Sequence, residues 1–168
     1  MPRPLSPVPE GVVVGQERST DDGPLWVIAQ AEVELAARYG GLTDNELGLT
    51  GTTFDPPGGA FVVARATGAT HPLGGVGLRG VRPGTAEVRR LWVDPAWRGR
   101  GIARALMAAL EDAARALGLT DLELGTGDRQ PEAVELYSSS GWTRRTVDAE
   151  GRPVPARAIR FTKSLTGT

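Results

Sequence analysis

A short segment rich in glycine and arginine carries the clearest chemical signal in the chain. It reads Arg98-Gly99-Arg100-Gly101-Ile102-Ala103, and it joins an apolar run over residues 88–93 to an amphipathic pattern over residues 99–117. At a helix start, free backbone N–H groups and the positive end of the helix dipole attract anions. Glycine lacks the Cβ that would keep an anion away from the backbone. The segment therefore predicts a phosphate-binding helix start.

Two common phosphate motifs fit this segment poorly. A Walker loop ends in Gly-Lys-Ser/Thr, and the segment contains no lysine. A dinucleotide fingerprint needs Gly or Ala at position 104, where the chain has Arg104, although Glu123 follows at about the right distance. A plainer interpretation also stays open, in which the glycines shape a turn and the arginines are solvated.

Composition excludes several classes of protein and of site. The formal net charge of −1 provides no overall field that would attract nucleic acid or a membrane. The chain has no cysteine, so disulfides, thiolate zinc sites and cysteine nucleophiles are ruled out. No run approaches the roughly 20 apolar residues of a membrane span. The first ten residues lack the apolar core of a secretory signal. We therefore expect a cytoplasmic protein with neither a nucleic-acid nor a membrane partner.

Local patterns predict the elements that position the segment, in the order β-α-β-β-β-α-β-α-β-β. Strands are indicated by β-branched or alternating apolar residues, and helices by apolar residues spaced three and four apart. This order indicates one α+β domain with a mixed sheet over residues 11–168, after a flexible, proline-rich arm over residues 1–10. The predicted strands are residues 12–14, 60–66, 73–81, 86–93, 119–125, 141–147 and 156–163; the predicted helices are residues 24–39, 99–117 and 131–140; residues 42–59 are a predicted loop.

Two stretches, in order and correctly spaced, resemble the signatures of the GNAT N-acetyltransferase superfamily. Residues 98–103 match the pattern Arg/Gln-x-x-Gly-x-Gly/Ala, in the longer run over residues 87–103. Residues 131–142, Pro-Glu-Ala-Val-Glu-Leu-Tyr-Ser-Ser-Ser-Gly-Trp, resemble Ala-x-x-Leu-Tyr-x-x-x-Gly-Phe/Tyr. The resemblance covers residues 60–165 well and residues 1–59 loosely. It implies a GNAT-like mixed, mostly antiparallel central sheet flanked by helices, with a V-shaped slot between two splayed strands.

The resemblance implies acetyl-CoA as acyl-donor cosubstrate, without a metal. In the family pattern, the loop from Arg98 to Ala103, including Gly99, Arg100, Gly101 and Ile102, holds the pyrophosphate. The backbone of Leu91 and Val93 binds the pantetheine arm in the manner of a partner strand. Gln130 stands where the family commonly has an asparagine that contacts the cofactor, and the resemblance implies that Gln130 makes this contact.

The same resemblance suggests the groups that move protons. Tyr137 matches the tyrosine whose phenol protonates the departing CoA thiolate, and its alternative is core packing on a helix face. Glu87 is the candidate general base, and its alternative is a strand glutamate paired with an arginine such as Arg89. Glu123 is a weaker candidate base, and deprotonation through water without a dedicated base stays open.

These features together predict an N-acetyltransferase in which a primary amine attacks acetyl-CoA directly in a ternary complex. A non-catalytic acyl-CoA-binding module and an enzyme with another acyl donor or an oxygen nucleophile remain alternatives. The acceptor, a small-molecule or peptide amine, would contact residues 20–59 and the loop after Val147. The oligomeric state is open, with a homodimer as one option. Four acidic residues favour a cationic amine: Glu32, Glu34, Asp44 and Glu46.

The remaining chemically notable residues have plain structural interpretations. His71, the single histidine, lies in a predicted turn and cannot by itself form a metal site. Glu111 precedes Arg115 by four residues, a spacing that favours an ion pair on a helix. Four tryptophans are expected in or around the core, and two arginine pairs are expected on solvated faces or at the CoA 3′-phosphate: Trp26, Trp92, Trp97 and Trp142; Arg89-Arg90 and Arg144-Arg145.

Overall fold

The computed structural model describes residues 7–41 and 51–166, and within them seven strands form a single sheet with three α-helices around it. The predicted element order is confirmed. None of the described helices is both long and apolar enough to cross a membrane. The elements are β1 Val12–Gln16, α1 Asp22–Tyr39, β2 Gly59–Ala66, β3 Gly74–Arg82, β4 Thr85–Val93, α2 Ile102–Ala116, β5 Asp121–Gly127, α3 Pro131–Ser138, β6 Thr143–Arg145 and β7 Ala158–Ser164, with 3₁₀ turns at Gly51–Phe54 and Pro95–Trp97.

The sheet contains one parallel pair, and that pair opens along its length. The strand order is β1-β2-β3-β4-β5-β7-β6, and all neighbours are antiparallel except β4 and β5. The β4–β5 pairing extends only from Thr85 beside Asp121 to Glu87 beside Glu123. Because β4 continues to Val93 and β5 to Gly127, the two strands separate after the third pair. The separation leaves backbone hydrogen-bonding groups of β4 without a strand partner on that side.

Different helices cover the two faces of the sheet. On one face, Ile102, Leu106 and Leu110 of α2 pack into an apolar cluster with side chains of β2, β3 and β5. On the opposite face, Val27 and Ile28 of α1 pack into a second cluster with side chains of β2 and the end of β4. The apolar stripe of α2 was predictable from its period, and its burial fixes the start of this helix against the centre of the sheet.

A β-bulge near Arg90 reverses the side-chain alternation of β4. Arg90 has a φ of 61°, and the β3–β4 register shifts here because Gly77 faces Arg89 whereas Gly75 faces Trp92. Before the bulge, Ala86 and Val88 belong to the α2-side cluster, and after it Val93 does. The extra residue thus turns the side chains of the odd-numbered residues at the end of β4 toward α2.

The bulge also buries Arg90, against the prediction that Arg89-Arg90 is a solvated face. The Arg90 side chain is 2% exposed and pairs with Glu32 of α1 at 3.6 Å. Arg89, which precedes it on the same strand, is half-buried. Arg144 and Arg145, in contrast, are exposed on β6 as expected. Strand periodicity alone gave no signal for this difference, because it is set by the bulge and by a contact to a remote helix.

The helix after the glycine-rich segment begins later than predicted. Gly99 and Gly101 have φ values of 78° and 83°, a left-handed conformation that cannot belong to an α-helix, so α2 begins at Ile102 rather than at Gly99. Residues 95–97 form a 3₁₀ turn, and the carboxylate of Asp94 caps it by accepting a hydrogen bond from the N–H of Ala96 at 2.9 Å. The two glycines therefore lie in the turn that enters the helix.

A further local expectation is corrected. Glu111 does not pair with Arg115: it is buried and meets the single lysine, Lys163, at 2.7 Å, while Arg115 pairs with Asp112.

Residues 1–6 of the predicted flexible arm lie outside the described residues. Val8 packs against the α2-side cluster, and Pro9 accepts a hydrogen bond from the N–H of Val12, so these positions lie against the domain.

Candidate active site

A cleft of about 290 Å³ lies at the wide end of the gap between β4 and β5, among the end of β4, the start of α2 and α3. Its wall is mostly apolar, and charged side chains also line it: Glu34, Arg98, Arg104, Glu132 and Glu135. Eight of the nine residues predicted to bind the cofactor line it: Leu91, Val93, Arg98, Gly99, Gly101, Ile102, Ala103 and Gln130. The ninth, Arg100, has its guanidinium 4.9 Å from the ring centre of Trp97, which also lines the cleft.

The start of α2 has the features of an anion site. The first helical hydrogen bond runs from the N–H of Ala105 to the carbonyl of Gly101, so the N–H groups of residues 102–104 have no carbonyl within the helix. No described side chain caps this end. A Cβ placed on Gly99 would meet no heavy atom within 4 Å, so the turn is open on that side. Free donors, an open approach and neighbouring arginines fit a phosphate group.

The free edge of β4 presents backbone groups to the cleft. The N–H of Asp94 donates to the carbonyl of Leu73 on the β3 side, at 2.7 Å. Because successive residues of a strand point their backbone groups to opposite sides, those of Leu91 and Val93 point away from β3. The side chain of Arg98 confirms this direction for one group, since its Nε donates to the carbonyl of Val93 at 2.9 Å. An extended ligand could pair with this edge like a strand.

The carboxyl end of α1 closes one side of the cleft through ion pairs. Glu34 accepts from Arg98 at 2.5 Å, so a carboxylate of the first helix contacts an arginine of the glycine-rich segment. Arg38 pairs with Glu132 of α3, and this hydrogen bond raises the pKa of Arg38. These contacts join residues far apart in the chain, so no local spacing in the sequence signals them.

Tyr39, the last residue of α1, makes further contacts between α1 and the residues just before α3. The hydroxyl of Tyr39 accepts from the N–H of Arg129 at 3.2 Å and lies 3.4 Å from the side-chain nitrogen of Gln130. A Cβ at Gly127 would lie 2.0 Å from that hydroxyl oxygen, so this close approach requires glycine. Gln130, which replaces the family's usual asparagine, is thus fixed to α1 and lines the cleft as well.

Tyr137 lies next to the cleft wall and in the core. Its side chain is 5% exposed and packs edge-on against Trp142, with ring centres 5.7 Å apart, and against Phe161 at 5.6 Å. Burial raises the pKa of its phenol above the ordinary value. Ala133 and Leu136, on the same helix, line the cleft, whereas Tyr137 is not among its lining residues. The structure thus shows the packing contacts, and the proton-donor role stays a prediction.

Glu87 lies at the closed end of the β4–β5 gap and is held by arginines. Its Oε1 accepts from Arg79 Nε at 3.2 Å and from Arg89 at 3.0 Å, so the pairing with Arg89 that was left open is present. Glu123 lies beside it in register and pairs with Arg82 at 2.5 Å. Neither carboxylate lines the cleft. For Glu87 to act as the base, the amine must therefore bind at the closed end of the β4–β5 gap, outside this cleft.

The remaining candidate residues of the sequence are His71 and the acidic residues of the predicted acceptor region, and His71 does not line the cleft. His71 is exposed and stacks on Trp26, with ring centres 3.7 Å apart. The described residues contain no cluster of side chains that could hold a metal ion. The acidic character expected of the acceptor region is offset where it is described, because Glu32 and Glu34 pair with arginines. Asp44 and Glu46 lie outside the described residues.

Comparison with known families agrees with this geometry. The model of the acetyltransferase (GNAT) family matches residues 19–142, a stretch that contains the start of α2, the edge of β4 and α3. The chain belongs to the GNAT acetyltransferase family. The match also covers α1, which the sequence resemblance had covered only loosely.

Curated relatives support the same assignment. The chain is 32% identical over 134 residues to an IAA acetyltransferase of Azospirillum brasilense, covering 80% of this chain and 86% of that protein. It is 34% identical over 162 residues to a mycothiol acetyltransferase of Geodermatophilus obscurus, covering 90% of this chain, but it spans only 51% of that relative's length. The family and these relatives identify this GNAT chain as an acetyltransferase.

Solved structures share the fold. A GNAT acetyltransferase of Staphylococcus aureus superposes with a TM-score of 0.73 at 14% identity, covering 92% of this chain and 99% of that one. A GNAT acetyltransferase of Elizabethkingia anophelis, solved with acetyl-CoA bound, superposes with a TM-score of 0.63 at 15% identity, covering 93% and 99%. These similarities establish the mostly antiparallel GNAT fold, and the second shows acetyl-CoA on a protein of that fold.

Proposed function

We propose that this protein transfers the acetyl group of acetyl-CoA to a primary amine by direct attack in a ternary complex. One observation carries the proposal: the uncapped start of α2 and the free edge of β4 meet in a single cleft. An anion site beside an unpaired strand edge suits a ligand with a pyrophosphate and an extended amide-containing arm. Acetyl-CoA has both features.

The start of α2 would hold the pyrophosphate. The N–H groups of residues 102–104 supply donors, and Arg98 supplies a positive charge on the cleft wall. Charge-assisted hydrogen bonds of this kind are stronger than neutral ones. The backbone of Leu91 and Val93 would pair with the amides of the pantetheine arm. Gly99 supports this role because a Cβ at its position would meet no heavy atom within 4 Å, so no side chain obstructs the approach there.

The reaction forms a C–N bond and breaks the thioester C–S bond. Acetyl-CoA supplies an activated acetyl group, and strand N–H groups would stabilise the negative charge that develops on its carbonyl oxygen. Binding the amine and the thioester side by side supplies the proximity that lowers the barrier. Two protons must then move, because the amine loses one and the departing sulfur gains one.

Tyr137 and Glu87 are our proposed proton-transfer groups. Burial raises the pKa of Tyr137, so the phenol is protonated at neutral pH but is also a weaker acid. Donation to the departing sulfur would therefore depend on close placement of the phenol next to the thiolate. Glu87, at the closed end of the β4–β5 gap, would accept the amine proton, directly or through water. Its arginine partners donate to Oε1, and this arrangement fixes the orientation of the carboxylate.

Acetyl-CoA turnover with a panel of amines tests the proposed function. Mass spectrometry of the acetylated products, together with detection of free CoA, should show transfer to at least one primary amine. Binding of acetyl-CoA without transfer to any amine would instead favour the non-catalytic alternative. Transfer to hydroxyl acceptors alone would favour an oxygen nucleophile.

Glu87→Gln should lower kcat/KM by about 100-fold, within the usual range for a general base. The substitution keeps the side chain's size and removes the proton acceptor. In the parent enzyme, kcat/KM should rise with pH on a single limb as the amine loses its proton, and this dependence should weaken in the variant. The control is Asp112→Asn, which removes an exposed carboxylate of α2 that pairs with Arg115. A parent-like rate and pH profile for Glu87→Gln would show that the residue is structural.

Glu34→Gln should raise the affinity for acetyl-CoA by about two- to fivefold at low salt. The carboxylate competes for Arg98 at the cleft wall and repels phosphates, and both effects are modest because the pair is about one-third exposed. Calorimetry at two salt concentrations measures the effect, which should shrink as screening increases. Weaker binding in the variant would mean that Glu34 instead holds Arg98 in place for the ligand.

A further inference from the structure

A buried ion pair lies beside the end of α3. The ammonium of Lys163 on β7 contacts a carboxylate oxygen of Glu111 on α2 at 2.7 Å, and the two side chains are 13% and 4% exposed. Taking two charges out of water is costly, and replacing a buried pair by apolar side chains of similar volume is often neutral or stabilising. Stability alone therefore does not account for this pair.

The ammonium of Lys163 also binds the turn between α3 and β6, residues 139–142. It donates to the carbonyl of Ser140 at 2.8 Å. A positive charge is favourable at this place, because the last carbonyls of a helix carry partial negative charge. A Cβ at Gly141 would lie 3.7 Å from the ammonium nitrogen, so the turn passes close to the lysine. Lys163 thus joins α2, β7 and the turn after α3.

Hydrogen bonds continue from this turn to the backbone of Tyr137. The N–H groups of Ser140 and Trp142 both donate to the carbonyl of Tyr137, at 3.1 and 3.3 Å. Ser140 therefore accepts from Lys163 and donates to Tyr137. Tyr137 is also the one buried residue of α3. The placement of this short helix therefore depends on the contacts of Tyr137 and of the turn that follows it.

The strand that carries Lys163 also contacts the ring of Tyr137. Phe161 of β7 packs against this ring with centres 5.6 Å apart, and Trp142 packs edge-on at 5.7 Å. Phe161 and Lys163 are two residues apart, so they share one face of β7 and lie roughly 6.6 Å apart along it. One strand thus contacts the ring of Tyr137 through Phe161 and holds its backbone through Lys163 and Ser140.

We propose that Lys163 is a positioning residue for proton donation by Tyr137, and that Glu111 holds the ammonium of Lys163 in place. The pair fixes the turn after α3 and thereby the phenol of Tyr137. This inference rests on the proposed function, since Lys163 would act through the proposed acid. Placement matters because a proton moves only over a hydrogen-bond distance, and a misplacement of about 1 Å can lower a rate about 100-fold.

The double variant Glu111→Leu/Lys163→Met tests the inference. Apolar side chains of similar size replace the ion pair, so the melting temperature should change little, while the carbonyl of Ser140 loses its donor. The single-turnover rate of acetyl transfer, measured with the best acceptor of the amine panel, should fall about 10- to 100-fold. The Kd for acetyl-CoA should stay close to that of the parent, because neither residue lines the cleft.

The same double variant in the Tyr137→Phe background separates positioning from a general structural role. If the pair acts through the phenol, the added substitutions should cause almost no further loss of rate. An equal loss in both backgrounds would overturn the inference, and so would a parent-like rate in the folded double variant. If Tyr137→Phe alone keeps the parent rate, the proposed acid fails and this inference fails with it. If the parent transfers no acetyl group to any amine, the proposed function itself fails.

Gly141→Ala changes the same turn without removing the ion pair. It forces a side chain into a left-handed conformation with a φ of 84°, so the turn must shift. The transfer rate should fall about 10-fold, and only while Tyr137 is present. This variant decides the question if the double variant does not fold, and an unchanged rate would then overturn the inference. The control is Arg115→Gln, which removes an exposed cation of α2 and should keep the parent rate.

Discussion

Replacing Gly101 by Asp is expected to weaken acetyl-CoA binding by at least about 100-fold. The new carboxylate would stand at the start of α2, where the N–H groups of residues 102–104 are the proposed phosphate donors. A side-chain carboxylate at this position can itself accept from those donors, as helix-capping residues do, and it repels the pyrophosphate. Each lost charge-assisted hydrogen bond costs about 1.5–3 kcal/mol, so two suffice for the expected change. Titration calorimetry measures it.

Gly101→Ala separates charge from backbone strain. Both variants force a side chain into a left-handed conformation with a φ of 83°, and in both the Cβ would lie 2.9 Å from the carbonyl oxygen of Pro7. Both should therefore lose similar melting temperature, while the alanine variant retains much more affinity. If the folded aspartate variant binds acetyl-CoA as the parent does, the pyrophosphate site lies elsewhere.

The features that sequence analysis predicted well are local in the chain. The turn over residues 98–103 and the strand before it are contiguous, so their residue types report directly on one structural unit. Eight of the nine predicted cofactor residues accordingly line the same cleft. The separation of β4 from β5 was implied by the family resemblance, and the register shows where it begins, at Glu87 and Glu123.

The features that sequence analysis missed depend on contacts between remote residues. The closure by α1 joins Glu34 to Arg98 and Tyr39 to Gln130, and neither pair has a characteristic spacing. The burial of Arg90 depends on a bulge, which shifts strand alternation by one residue without a glycine or proline to mark it. In both cases tertiary packing sets the contacts and the burial of these side chains, and a local sequence pattern does not reveal them.

The arrangement of charges explains why the acceptor was the hardest feature to predict. Glu32 and Glu34 of α1 indicated a cation-binding region, yet each of these two residues contacts an arginine from another element. Glu87 and Glu123 are held by arginines of β3, β4 and β7, so the surroundings of these two carboxylates combine elements that are apart in the chain. The charges that meet at a site are set by how the sheet folds, and the residue types of one helix do not reveal them.

Tyr137→Phe is expected to lower kcat by about 100- to 10,000-fold, the usual contribution of a general acid. The ring contacts with Trp142 and Phe161 remain, so folding and acetyl-CoA affinity should be preserved. Burial raises the pKa of the phenol above its ordinary value of about 10, so the parent should not lose this proton donor as pH rises to that value. Single-turnover measurement of acetyl transfer isolates the chemical step from product release.

The second tyrosine of the chain supplies the matched control. Tyr39→Phe removes a hydroxyl that contacts Arg129 and the cleft-lining Gln130, so it should change the Kd for acetyl-CoA more than the rate of transfer. Because both variants remove one phenolic oxygen, a general effect of losing a hydroxyl would appear in both. An unchanged single-turnover rate for Tyr137→Phe would assign this tyrosine to core packing, and a large fall in melting temperature would point the same way. A slow transfer step with normal affinity and stability is the combination that packing alone does not produce, since the phenylalanine ring fills the same space.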